Sequence, residues 1–199
     1  VFSHRSHRLT NSCLCALCTY VFDVLPVYKM ELLLSKSKLR PWNPNDAFAL
    51  ARHANNKAIA GNMRDGFPFP YTLDDANIWL NMAMKETRHV LLAIEVDGEA
   101  AGGIGIILKE NVYRFTAEIG YWLGAMHWRK GITSEAIVKL SEYVFEKTEL
   151  VRLQAEIFSP NIASMKTILK AGYHLEAINK NAVFKNGVLL DQHVYCRLK

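Results

Sequence analysis

Between residues 113 and 158 the spacing of apolar residues changes twice. In "YRFTAEIGYWL" (113–123), Ala117, Ile119, Tyr121 and Leu123 alternate with their neighbours, which is one face of a strand. Further on, Ala136, Ile137, Leu140 and Val144 recur at the spacing of one helix face. "LVRLQAEIF" (150–158) then returns to strand character. A strand, a helix and a second strand in one sheet call for a right-handed crossover, and a crossover makes the two strands parallel. This stretch excludes an all-α or all-β chain.

The remaining segments place this crossover in a larger sheet. "SKLRPW" (37–42) reads as a short strand, and Asn45 or Asp46 is available to cap a helix running to about residue 55. "RDGFPFPYT" (64–72) reads as a loop. Thr72 followed by Asp75 forms a capping-box pattern, with Ala76, Trp79, Leu80 and Ala83 as the apolar stripe of a second helix. "HVLLAIEV" and "AAGGIGIIL" are strands joined by the turn Asp97-Gly98. A helix from Asn161 to Ala171 is stopped by Gly172. "YHLEAI" and a type I′ hairpin around Asn186-Gly187 complete the chain. The expected class is α/β: a single mixed, mostly antiparallel central sheet flanked by four helices, in the order β-α-α-β-β-β-α-β-α-β-β.

Charge and cysteines narrow the function classes. Of 199 residues, 50% are hydrophobic and 22% charged, enough to bury a sizeable core. The net charge of +5 favours an anionic partner but is too evenly spread to argue for nucleic acid. Residues 1–29 carry Arg5, Arg8 and Lys29 against Asp23, with three of the four cysteines in "CLCALC" (Cys13, Cys15, Cys18). Asp23 interrupts the apolar run, no small-residue cleavage site follows, and the run is too short to span a membrane. These 29 residues are expected to be an extension outside the fold, the alternative being a weakly docked strand or helix, with 30–199 as the domain. Cys196 is the remaining cysteine, so no disulfide framework is expected and a cytoplasmic setting follows. His53, His89, His127, His174 and His193 show no metal-ligand spacing, and no metal site is expected. No Cys-His or Ser-His pair suited to covalent catalysis is evident in the domain.

"HWRKGITSEA" (127–136) opens the crossover helix. A helix start carries unpaired N–H groups and a partial positive charge, which suits phosphate. Gly131 permits close approach, Arg129 and Lys130 add charge, and Thr133 and Ser134 can cap the helix or donate to phosphate oxygens. The alternative is a capped helix with a solvated basic pair. The spacing is not that of a P-loop.

The wider stretch "AEIGYWLGAMHWRKGITSEAIVKLSEYVF", followed by "NIASMKTILKAGYHLEA", resembles the GNAT superfamily of N-acetyltransferases, specifically its RimJ/RimL-type branch. The resemblance covers about residues 37–198 and the element order is that of the GNAT fold. It implies acetyl-CoA as cofactor, with its pyrophosphate on the backbone of 129–134. Arg129, Lys130, Gly131, Ile132, Thr133 and Ser134 are then the cofactor loop, although Thr133 departs from the family's usual Gly or Ala. It further implies a backbone donor near Trp122 and Leu123 for the thioester oxygen, and Asn161 for the pantetheine arm.

The chemistry implied is direct attack of an amine on the thioester, which needs a base, a polarised carbonyl and a proton for the leaving thiolate. Glu118 holds the family's base position, acting through a water; alternatively it is a solvated strand carboxylate. The family's usual acidic tyrosine is replaced by Ile168, and Ser164 is the expected proton donor, or else an ordered water. Trp42, Arg64, Phe67, Phe69 and Tyr71 are expected acceptor-site walls, equally readable as core. The expected partner is an amine acceptor, a protein N-terminus or a small amine such as a polyamine, with no membrane or nucleic acid, and a monomer or homodimer. A non-catalytic CoA-binding module and a salt-sensitive RNA binder are the readings from other classes.

Overall fold

The computed structural model describes residues 30–199. The predicted extension 1–29, with Cys13, Cys15 and Cys18, lies outside the described residues. The elements run β1 (Leu32–Leu33), β2 (Lys38–Pro41), α1 (Ala47–Ala54), α2 (Lys57–Ala60), α3 (Leu73–Lys85), β3 (Val90–Val96), β4 (Glu99–Leu108), β5 (Thr116–Leu123), α4 (Ile132–Lys147), β6 (Arg152–Phe158), α5 (Ile162–Lys170), β7 (His174–Lys185) and β8 (Val188–Leu198). Among the described residues the strands form one sheet in the order β1-β2-β3-β4-β5-β6-β8-β7. Every adjacent pair is antiparallel except β5 and β6, which the α4 crossover makes parallel. The expected mixed sheet and element order are present, with two additions: the edge strand β1 and the single-turn helix α2.

Local chemistry explains most boundaries. Thr72 and Asp75 form the predicted capping box at α3. Asp97 and Gly98, and again Asn186 and Gly187, all have positive φ, as type I′ hairpins require. The predicted cap at Asn45 or Asp46 is corrected. Asn43 caps the 3-10 turn Pro44–Asp46 that leads into α1. Asp46 completes a capping box with Asn43 by accepting from the Asn43 N–H at 2.9 Å, and it stands at the N-cap position of α1 without a side-chain bond to it. Its two oxygens also accept from Arg40 Nη1 and Nη2, each at 2.8 Å, and Arg40 also binds Glu95. Thr133 and Ser134 do not cap α4 with their side chains. Gly131 is the N-cap, in the left-handed conformation at φ 82°, and Ser134 Oγ donates to the Gly131 carbonyl at 2.9 Å. The third predicted strand starts later than residue 113, because Asn111–Tyr113 forms a 3-10 turn.

The sheet carries a core on each face. On one, α4 and α5 bury Ile137, Leu140, Val144 and Ile168 against Ala117, Ile119 and Leu153. On the other, α1 and α3 bury Leu50, Ala76 and Leu80 with Trp42 and Tyr71. β5 contributes to both by alternation, so Tyr121 faces α5 while Glu118 and Trp122 face the α1–α3 side. Among the described residues no helix is long and apolar enough to cross a membrane.

Candidate functional site

The site begins where two parallel strands part. β6 pairs with β5 only from Thr116–Glu118 to Arg152–Gln154. Gly124 N–H donates to Ala101 and Lys109 N–H to Thr116, so even-numbered residues of β5 turn their backbone groups toward β4. Tyr121 and Leu123 turn theirs the other way, and beyond Glu118 β6 no longer lies alongside. Their N–H groups face the gap. The Leu123 carbonyl is occupied by Trp128 Nε1 at 2.6 Å, which pins the next loop to the strand end. Trp122, by contrast, pairs its backbone with Gly103, so of the two expected positions Leu123 is the one with a free donor. A cleft of about 1510 Å³ occupies the gap, lined by β5, β6, α3, α5 and the 64–72 loop.

One end of the gap gathers hydrogen-bond donors and basic side chains. Arg129 (φ 61°) and Gly131 are both left-handed, turning the chain sharply into α4. Among the described residues, none of the backbone N–H groups of 129–134 donates to a protein acceptor. A second cavity of about 210 Å³ lies here, lined by Arg129, Gly131, Ile132, Thr133 and Ser134 together with His127, Lys166, Thr167 and Lys170. The Ile132 side chain is core and Ser134 is satisfied internally, so the loop offers backbone N–H groups and the Thr133 hydroxyl. Lys130 lines neither cavity. Sequence reasoning missed His127, whose buried Nδ1 has no partner among the described residues, and the two lysines of α5. The i, i+4 spacing of Lys166 and Lys170 was the legible signal. The donor set fits a phosphate-bearing ligand such as coenzyme A.

The opposite side of the gap is acidic and aromatic. Arg64 Nη2 donates to Glu118 Oε1 at 2.6 Å and lies 3.4 Å from Glu156 Oε2. Burial opposes the Arg64 charge, but the two carboxylates outweigh it and hold its pKa above the ordinary value. Trp42, Phe67 and Tyr71 line the cleft here, with Trp42 and Tyr71 also in the core; Phe69 is half exposed and outside the lining. Phe67 stands edge-on to Trp122 at 5.8 Å. Gly103 makes room for both indoles: a Cβ there would lie 2.8 Å from Trp122 Nε1 and 3.2 Å from Trp42.

Between the two ends stands a hydroxyl pair. Asn161 caps α5 by accepting from Ser164 N–H, and Ser164 Oγ lies 2.8 Å from the Tyr121 hydroxyl. Burial pushes the Tyr121 phenol well above its ordinary value, with the Ser164 hydrogen bond opposing only in part. Sequence reasoning placed Tyr121 on one face of β5 with Ala117, Ile119 and Leu123, but not beside Ser164. Sequence reasoning did not anticipate a contact of Cys196 with a histidine: its Sγ lies 3.1 Å from His174 Nε2. The register explains it: Gln154, Cys196 and His174 form one row across β6, β8 and β7. Burial pushes the Cys196 thiol up, which keeps it protonated and unsuited to nucleophilic attack. No group of three His, Cys, Asp or Glu residues among the described ones is placed to hold a metal.

Comparison with known proteins gives a consistent family. The family described as Acetyltransferase (GNAT) domain matches residues 37–174. The chain is 37% identical over 101 residues to the N-acetyltransferase YoaA of Bacillus subtilis, covering 51% of this chain and 56% of that protein. It is 36% identical over 83 residues to the ribosomal-protein-serine acetyltransferase of Escherichia coli, covering 42% and 46%. The chain thus spans about half the length of these curated relatives. Among solved structures, the microcin C7 self-immunity acetyltransferase MccE in complex with acetyl-CoA and AMP superposes with a TM-score of 0.75 at 25% identity, over 83% of this chain and 94% of that one. The ribosomal L7/L12 acetyltransferase RimL with coenzyme A shares the fold at 21% identity, with a TM-score of 0.74 over 84% and 96% of the two chains.

Proposed function

The chain belongs to the GNAT family of acetyltransferases, of the RimJ/RimL-like kind, and on that premise we propose that it transfers an acetyl group from acetyl-CoA to the α-amine of a polypeptide. The observation that carries this reading is the divergence of β5 and β6, which leaves free N–H groups and a phosphate-suited loop on one side of Glu118 and an open cleft on the other. Acetyl-CoA supplies the activated acetyl group as a thioester. The backbone of 129–134, Thr133, Lys166 and Lys170 hold its phosphates, and Asn161 its pantetheine arm. The Leu123 N–H donates to the carbonyl oxygen as negative charge develops there. Glu118 accepts the proton of the attacking amine through a water, and Ser164, supported by Tyr121, returns a proton to the departing sulfur. Trp42, Arg64, Phe67 and Tyr71 orient the acceptor. Attack is direct, so Cys196 has no part in it.

The α-amine is supported by the ribosomal-protein acetyltransferase among the relatives. A small amine is the second reading, favoured by the compact aromatic wall around Phe67 and Trp122. Thiol release from acetyl-CoA tests both, measured with a peptide bearing a free N-terminus, its Nα-blocked form and a set of small amines. Release with the free peptide alone is expected. Glu118→Gln should lower turnover by at least about a hundredfold and keep the stabilisation by acetyl-CoA, about 2.7 kcal/mol at ~100 times Kd. Stabilisation by acetyl-CoA without transfer to any amine would reduce the protein to a CoA-binding module.

A further inference from the structure

Glu118 and Glu156 project from β5 and β6, the two strands that line the gap, so the sheet fixes where these carboxylates stand. Glu156 is held further: Gln154 Nε2 donates to its Oε1 and Gln192 Nε2 to its Oε2, both at 3.0 Å. The cation between them is held differently. Arg64 belongs to the 64–72 loop, and its side chain is 69% exposed against 18% for Glu118 and 22% for Glu156. Of the other acidic groups nearby, Asp65 is paired with Lys185 of β7 at 2.8 Å, whereas Asp75, which also lines the cleft, keeps its charge because its partner Thr72 is neutral. The two fixed carboxylates and the guanidinium of the Glu118–Glu156–Arg64 set carry a single net negative charge between them.

We propose that Arg64 is a specificity-determining residue that matches the acceptor end of the cleft to an amine carrying one positive charge and rejects diamines and polyamines. This rests on the acceptor reading above and names the charge class of that acceptor. One ammonium balances the Glu118–Glu156–Arg64 set. A second ammonium on the same molecule meets the guanidinium, a like charge. Without the guanidinium, two carboxylates face two ammonium groups. At a partly solvated separation of about 6 Å, removing one unit charge changes affinity on the order of tenfold.

The test uses the full chain loaded with coenzyme A. Binding of 1,4-diaminobutane and of trialanine amide is measured by calorimetry for the unmodified protein, Arg64→Met and Arg64→Lys. Arg64→Met is expected to raise affinity for the diamine relative to the peptide by about tenfold, and Arg64→Lys to keep the original ratio. Glu156→Gln placed on Arg64→Met should return the ratio toward its starting value. Unchanged affinity for coenzyme A reports that each variant is folded. An unchanged ratio in Arg64→Met overturns the proposal. So does an equal gain for both ligands, which would make Arg64 merely a plug, and so does failure of Arg64→Met to bind the diamine. Acetyl transfer by the same variants, supplied with acetyl-CoA in place of coenzyme A, separates the two readings. A shifted ratio without any transfer leaves the charge rule standing and removes the acetyltransferase assignment. Transfer with no shift removes the charge rule alone.

Discussion

Tyr121→Phe is expected to uncouple stability from turnover. The substitution deletes one hydroxyl, the one 2.8 Å from Ser164 Oγ, and leaves the ring in its place between β5 and α5. Loss of one neutral hydrogen bond costs about 0.5–1.5 kcal/mol. For a domain of this size that lowers Tm by roughly 1–6 °C. The catalytic effect should be much larger. A positioned general acid contributes about a hundredfold or more, so kcat should fall by that order if Tyr121 supports Ser164 in protonating the leaving sulfur. KM for acetyl-CoA should stay within about a factor of two, because the phosphate loop and Asn161 are untouched. Ser164→Ala should lose a similar amount, and the double variant little more than either single one, as expected of groups acting as a unit. Burial holds the phenol protonated far above neutral pH, so kcat of the unmodified protein should show no alkaline loss from this group up to its ordinary value of 10. Thiol release at saturating amine measures kcat, and thermal unfolding measures the stability cost. Full kcat beside a lowered Tm would refute the argument and leave the hydroxyl pair a packing contact.

Gly103→Ala puts a Cβ 2.8 Å from Trp122 Nε1 and should cost about 1–3 kcal/mol as the indoles shift, with weaker acceptor binding read as a raised amine KM. Asp46→Ala strips Arg40 of its buried bidentate partner and should cost about 3–5 kcal/mol in urea unfolding, where a surface pair would cost under about 1. Glu95 is held below the ordinary carboxylate value of 4.5 by its hydrogen bond from Arg40, despite some burial. Its contribution is therefore complete above 4.5 and lost as pH falls below it, and Glu95→Gln should make Tm less sensitive to pH in that acid range. Equal slopes for the two proteins would show that Glu95 does not carry that dependence.

What could be read without coordinates was what short segments decide for themselves. The Thr72–Asp75 capping box, the Asp97-Gly98 and Asn186-Gly187 turns, and the change of period across β5, α4 and β6 are each set by residues within one or two turns of one another. The loop from Arg129 to Thr133 was legible for the same reason. Its donors are its own backbone, exposed by a left-handed glycine at a helix start.

The misread features depend on partners far along the chain. Asp46 takes part in the Asn43 capping box, but nothing nearby in sequence shows that Arg40 of β2 also binds both its oxygens and turns them away from α1. Ser164 was singled out without Tyr121, 43 residues earlier, which meets it only because α5 packs on that face of β5. Cys196 and His174 become neighbours because β8 enters the sheet between β6 and β7. Glu156 shows the limit most clearly, since alternation along β6 gives its face but not its neighbour. Its meeting with Glu118 and Arg64 follows from the parallel register of β5 and β6 and from the 64–72 loop closing over them. The sequence by itself determined the elements, the turns and the glycine-led start of α4, because local backbone preferences and apolar periodicity act over a few residues. The tertiary structure decided which side chains share the cleft, because sheet register and helix docking minimise a free energy summed over the whole core.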